Sequence, residues 1–224
     1  MVLDMAKQIT LADGSHIILG GPGSGKTHWA LESWLAQQQH ALYIDFNKAG
    51  YRAMSNFEIE DRRDVWVKGP WYQVRKKVVM DLIQTKKAMY APSTPDDVQE
   101  VAQFFRDMKE KNLENIENIW IYCDEVDLYS KPGSSVEQMW TKDRGAGVRP
   151  VGILQRAAQA KNLNIVNNSF GGVLVFRVET GEAQKLRNNY GLEFSEEDLA
   201  YIQSVPYSAI YMDLKRYPRG WERI

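Results

Sequence analysis

An α/β fold, with a mainly parallel central sheet flanked by helices, is the expectation for this 224-residue chain. Three observations predict it: short unbroken apolar runs, helical patterns alternating with them, and a glycine-rich turn joining the first run to the first helix. Strands apolar on both faces belong to sheets covered on both sides, and alternation of strand with helix is how parallel strands are connected. The first run, His16-Ile17-Ile18-Leu19, stops at Gly20, and the helix expected over Thr27 to Gln38 carries Trp29, Ala30, Trp34 and Leu35 on one side. Ala41 to Phe46 reads as a second buried strand and Val65-Trp66-Val67 as a short third, with a polar connection from Arg52 to Asp64 between them. Helical patterns follow over Val74 to Met89 and Pro95 to Lys111. The latter has Ser93, Thr94 or Asp96 as its cap and Val98, Val101, Phe104 and Phe105 as its apolar side. Ile119 to Cys123, Val151 to Leu154 and Gly172 to Phe176 are further strands. Lys131 to Pro150 reads as loop around a short helix from Val136 to Lys142. Glu196 to Gln203 is expected to be helical, and Tyr207 to Leu214 a last strand before a polar tail.

Length and a 44% apolar content suit one domain over residues 1–224. A net charge of −1 excludes the strongly basic field of a monomer that coats nucleic acid, so any DNA contact must be local. The single cysteine, Cys123, forms no internal disulfide, and His16, His28 and His40 have no metal-ligand spacing. No signal-peptide pattern opens the chain and no run reaches the roughly 18 apolar residues of a membrane span, so a soluble, cytoplasmic protein is expected.

The turn Gly20-Gly21-Pro22-Gly23-Ser24-Gly25-Lys26-Thr27 matches G-x-x-x-x-G-K-[ST] completely. Its glycines let successive backbone N–H groups face phosphate oxygens, and the helix that follows points its positive end at them. Lys26 is expected to reach the β- and γ-phosphates of ATP, and Thr27 to give its hydroxyl to Mg²⁺. Ile119 to Cys123 ends in Asp124-Glu125, an apolar strand delivering an acid to the Mg²⁺ shell; Asp124 is the metal-side carboxylate, and Glu125 is placed to take a proton from an attacking water. More than ninety residues separate the two motifs, a spacing that suits P-loop proteins with an added strand between them. Val151 to Leu154 ends at Gln155-Arg156, where the amide of Gln155 can sense the γ-phosphate. Arg144, Arg149 and Arg156 flank this edge; Arg144 or Arg149, ahead of Arg156, is expected to act on a neighbouring subunit's transition state.

With these residues in view the chain resembles the FtsK–HerA superfamily of DNA-pumping ATPases, and in particular the small genome-packaging ATPases of tailless viruses with an internal membrane. GGPGSGKT, ALYIDFNKAGY, IWIYCDEVDLY and DRGAGVRPVGILQRAAQAKNLNIVNN carry the resemblance, and GGVLVFRVETGEAQKLRNNYGL is similar to the family's ending, a strand followed by a helix. The resemblance spans about residues 10 to 215. It implies a RecA-like core, a hexameric ring with ATP at the subunit interfaces, double-stranded DNA through the centre, and docking on a capsid or vertex protein, either in the host cytoplasm or with the virion. The chain departs from the cellular pumps in carrying no membrane segment and no extra DNA-orienting domain.

Arg75-Lys76-Lys77 and Lys86-Lys87 on a predicted helix, with Lys131, Lys142 and Arg144, are the candidate DNA contacts; a ring would multiply their modest charge. Trp66, Trp71 and Trp140 suit core or interface anchors better than base-stacking groups. The competing functions are a phage assembly or secretion ATPase, a P-loop phosphotransferase acting on a small molecule, and a slow nucleotide switch. A phosphotransferase has no use for an acid at Glu125.

Overall fold

The computed structural model describes residues 11, 13–47, 50, 52, 66–110, 116, 118–142, 147–155, 163–169, 171–212 and 222–224. In chain order they form β1 (His16–Leu19), α1 (Lys26–Ala36), β2 (His40–Ile44), β3 (Trp66–Lys68), α2 (Trp71–Thr85), β4 (Lys87–Ala91), α3 (Pro95–Glu110), β5 (Ile119–Cys123), α4 (Ser135–Thr141), β6 (Val148–Leu154), α5 (Leu163–Asn167), β7 (Gly172–Phe176), α6 (Thr180–Tyr190), α7 (Glu196–Ser204), β8 (Ala209–Met212) and β9 (Glu222–Arg223). The strands make one sheet in the order β3-β4-β2-β5-β6-β1-β7-β8-β9. Every pairing from β3 across to β7 is parallel, and β8 and β9 close the far edge antiparallel. The expected α/β class with a mainly parallel sheet is the one observed.

The period of two along each strand divides the core. Ile17 and Leu19 of β1 and Leu42 and Ile44 of β2 pack with residues of α2 to α7, among them Val78, Val98, Val136 and Leu186. Ile18 and Tyr43 face the other way, onto Trp29, Leu31 and Trp34 of α1. Each fully buried Leu or Ile contributes about 1.5–3 kcal/mol, so both faces of β1 work to hold it at the centre of the sheet. Trp71 and Trp140 are buried, as anchors of the core, and Trp66 is partly buried against it.

Asp97 ties α2 to α3. Its carboxylate accepts from the backbone N–H groups of Ser93 and Thr94 and the hydroxyl of Thr94, capping α3, and also from the backbone N–H of Trp71 at 2.8 Å. Ser134 and Ser195 cap α4 and α7 by accepting from Glu137 and Asp198.

The helix expected over Val74 to Met89 is really two elements. It starts earlier, at Trp71 after Pro70, and stops at Thr85; Lys87–Ala91 is a strand, β4, between β3 and β2. Lys86 ends the helix with φ 62, its N–H donating to Leu82 O, a left-handed stop made without the glycine that usually marks one. The last strand begins at Ala209 rather than Tyr207, which lies in a turn, and β6 starts at Val148, ahead of the expected Val151. The polar connection around residues 53–65 and residues 213–221 lie outside the described residues. No described helix is long and apolar enough to cross a membrane.

Candidate active site

The carboxyl ends of β1, β2, β5 and β6 lie along one edge, and the register aligns them: Leu19 pairs with Leu154, Cys123 with Gly152, and Ile44 with Cys123. Whatever follows each strand is therefore delivered to the same rim, the position at which open α/β sheets bind ligands.

After β1 the chain turns through Gly20 (φ 154), Gly23 (φ 68) and Gly25 (φ 100) into α1. Gly20 must be glycine on a second count, since a Cβ there would lie 2.7 Å from Phe176 Cβ. No side chain caps α1 and its first turn holds no acid, so its leading N–H groups are left for an anion. Ser24 Oγ, buried in the same turn, makes no hydrogen bond among the described residues. Lys26 is buried and its Nζ donates to Gly21 O at 2.7 Å. Burial pushes its ammonium down to about 8, against the attraction of Asp124, Glu125 and Glu182. Thr27 is half-buried beside it.

β5 ends at Asp124 and Glu125. Asp124 is buried; its carboxylate accepts from the backbone N–H of Glu125 at 3.0 Å and from the Tyr43 hydroxyl at 3.5 Å, while its carbonyl accepts from the Tyr129 hydroxyl at 2.7 Å. Burial first, then the charges of Asp45 and Glu125, push its carboxyl up to about 7. Glu125 adopts the left-handed conformation (φ 50), which throws its side chain out of the strand line. Its carboxylate accepts from Gln155 Nε2 at 2.6 Å and from Asn47 Nδ2. Burial and then the Asp127 and Asp45 charges raise its pKa too.

The fold thus gathers Lys26, Asp124, Glu125 and Gln155, which lie far apart in sequence, on one rim. Asp45 and Asn47, at the end of β2, complete the group and were not picked out by motif. Asp45 was visible only as the acid closing an apolar run, and Asn47 carries no local signal. The site also holds more acid than base. Burial and neighbouring acids raise Asp124 and Glu125, with Lys26 offsetting this only in part, a strain that a divalent cation beside Asp124 and Thr27 would relieve, so the residues present fit Mg²⁺.

Other candidates lie elsewhere. Arg149 sits in the amino-terminal half of β6, six residues before Gln155 and so about 20 Å away along the strand. It is only 14% exposed and ion-paired with Asp13. The fold does not bring it to this rim. Arg144 and Arg156 lie outside the described residues. Lys86 and Lys87 are not on a helix. Lys87 donates to the carbonyls of Gln37 and Gln39, and its ammonium is pushed down to about 8 by burial and then by Lys86, so it ties the α1–β2 turn to β4 rather than facing a ligand. Arg75, Lys76 and Lys77 are exposed on α2, with Lys77 paired to Asp81.

No family model matches the chain, and no curated protein does. Solved structures share the fold, a mixed α/β architecture with a mostly parallel sheet as in RecA-like P-loop ATPases. Among them is the genome packaging NTPase B204 from Sulfolobus turreted icosahedral virus 2, in complex with AMP, with a TM-score of 0.64 at 14% identity over 94% of this chain and 96% of that one. The DNA-packaging ATPase B204 from Sulfolobus turreted icosahedral virus gives 0.63 at 16% identity over 95% and 97%. The pCW3 conjugation coupling protein TcpA, solved as a monomer with ATPγS, gives 0.56 at 13% identity, over 95% of this chain and 60% of that one.

Proposed function

We propose that this chain is an ATPase that drives double-stranded DNA, packaging a viral genome into a preformed capsid. One observation carries the reading: Lys26, the Asp124–Glu125 pair and Gln155 meet at the carboxyl rim of a sheet whose fold matches packaging ATPases along nearly its whole length.

In this reading the loop from Gly20 to Thr27 cradles the phosphates of ATP and Lys26 exchanges its hydrogen bond to Gly21 for the β- and γ-phosphates. Mg²⁺, held through Thr27 and Asp124, would neutralise charge on the phosphate oxygens. Glu125, oriented by the amides of Asn47 and Gln155, takes the proton of the attacking water as its oxygen bonds to the γ-phosphorus and the bond to the β-phosphate oxygen breaks. Gln155 donates to the base and in this reading senses the γ-phosphate, so its amide can report hydrolysis to β6. An arginine from the next subunit, Arg144 being the first candidate, adds positive charge at the γ-phosphate in the transition state. The chain acts as one domain over residues 1–224 in a ring, taken as a hexamer, docked on a capsid or vertex protein in the host cytoplasm or at the virion.

Glu125→Gln tests the assignment. Turnover is expected to fall by about 10²–10⁴-fold, the range for losing a general base, while ATP still binds and duplex DNA still stimulates whatever wild-type turnover is measured. DNA-independent turnover by a stable monomer, or a Glu125→Gln variant with undiminished turnover, would overturn it.

A further inference from the structure

The catalytic groups all lie to one side of the phosphate loop. Glu125, Asp124 and Gln155 follow β5 and β6, and on the other side of β1 come β7 and then β8. A nucleoside triphosphate whose last phosphate faces Glu125, and whose remaining phosphates run across the loop amides, sends its sugar and base toward the β7–β8 side. Tyr207 stands there. A Cβ on Gly25 would lie 3.2 Å from Tyr207 Cδ1 and 3.8 Å from Tyr207 Cβ, so this ring lies directly against the phosphate loop, in space that the glycine leaves open.

Three features set Tyr207 apart from an ordinary surface tyrosine. It is 57% exposed, an apolar ring left in water. Its φ is 60, a conformation that costs an aromatic residue energy and is retained where surrounding contacts enforce it. Those contacts are present: Ser208 donates its N–H and its hydroxyl to Val205 O, Val205 N–H donates to Tyr201 O at 3.0 Å, and Gln203 ties α7 to Val178 at the end of β7. A strained turn is thus braced so as to present a ring that makes no hydrogen bond or ring contact among the described residues.

We infer that Tyr207 is the platform on which the base of the bound nucleotide stacks, with purines preferred because their larger ring area covers more of it. The inference rests on the proposed nucleotide site and extends it to the half of the ligand that the phosphate motifs do not address. Tyr207 binds and takes no part in the chemical step.

Calorimetric titrations with AMPPCP, its cytidine counterpart and inorganic tripolyphosphate separate the contributions. Tyr207→Asn tests the ring without threatening the fold, because asparagine tolerates the left-handed conformation; Tyr207→Phe keeps the ring. The expected result is an AMPPCP affinity weakened about tenfold by Tyr207→Asn, tripolyphosphate affinity changed less than about twofold, and Tyr207→Phe close to wild type. The preference for AMPPCP over the cytidine analogue should shrink in Tyr207→Asn as well. Unchanged AMPPCP affinity in Tyr207→Asn overturns the stacking role and leaves the phosphate site standing. Equal weakening of AMPPCP and tripolyphosphate also overturns it, since the turn would then merely support the loop. A wild-type protein that binds none of the three ligands sinks the nucleotide site, and this inference with it.

Discussion

Asp124 and Lys26 are each folded against their own charge. Asp124 stands at about 7 through burial and the neighbouring Asp45 and Glu125, and Lys26 at about 8, again chiefly through burial. Between the ordinary carboxylate value and about 7 the folded protein binds more protons at Asp124 than the unfolded chain, so stability falls as pH rises through that window. Between about 8 and the ordinary lysine value the folded protein binds fewer at Lys26, so stability rises with pH there. The ligand-free protein is therefore penalised by both groups at once between about pH 7 and 8, where both must be charged. Asp124→Asn is expected to raise the melting temperature near neutral pH, by a stabilisation of at most about 4 kcal/mol for a shift of about three pK units. The gain should shrink to nothing toward about pH 4. Calorimetric scans across that range check it, and a gain independent of pH would mean that the penalty has another source. Lys26, Asp124 and Glu125 were readable as motif residues because each lies beside a glycine turn or at the end of an apolar run. Asn47 and Tyr207 were not, since an amide after β2 and a tyrosine in a turn acquire meaning only from what faces them.

Among the elements, β4 shows where pattern reading fails. Lys87-Ala88-Met89-Tyr90-Ala91 is too short to display a period of its own, and neither glycine nor proline separates it from α2. The helix stops because Lys86 turns left-handed, and the strand forms because β3 and β2 pair with it on both sides. Lys86→Gly should therefore stabilise the protein by about 0.5–1 kcal/mol, since the conformation that strains lysine is free to glycine. Urea unfolding monitored by circular dichroism would register the shift, and a loss of stability would show that the contact of Lys86 with Gln38 O outweighs the strain. The central strands β1, β2, β5, β6 and β7 were found because short runs rich in Ile, Val, Leu, Trp and Tyr leave little alternative to a buried strand, whereas β9, the exposed pair Glu222–Arg223, was read as part of a polar tail.

For the whole molecule, a catalytic rim on which acids outnumber the described cations, Lys26 and, past the end of β7, Arg177, is suited to charge supplied by another copy. Light scattering with AMPPCP and duplex DNA is expected to shift the mass from monomer to a ring, taken as six subunits; a mass that stays monomeric with both ligands bound would refute assembly at this site. What the sequence determined by itself is local: the phosphate loop, whose geometry is written in the consecutive residues Gly20 to Thr27, the buried character of the central strands, and the acids that end β5. Strand order, and with it the company that loop keeps, was decided by tertiary structure. A strand apolar on both faces pairs with any similar neighbour, and nothing in its composition says that β6 should lie between β1 and β5. Long-range packing chose that arrangement, setting Gln155 and Asn47 against Glu125, Tyr207 against Gly25, and Arg149 toward the opposite end of the sheet.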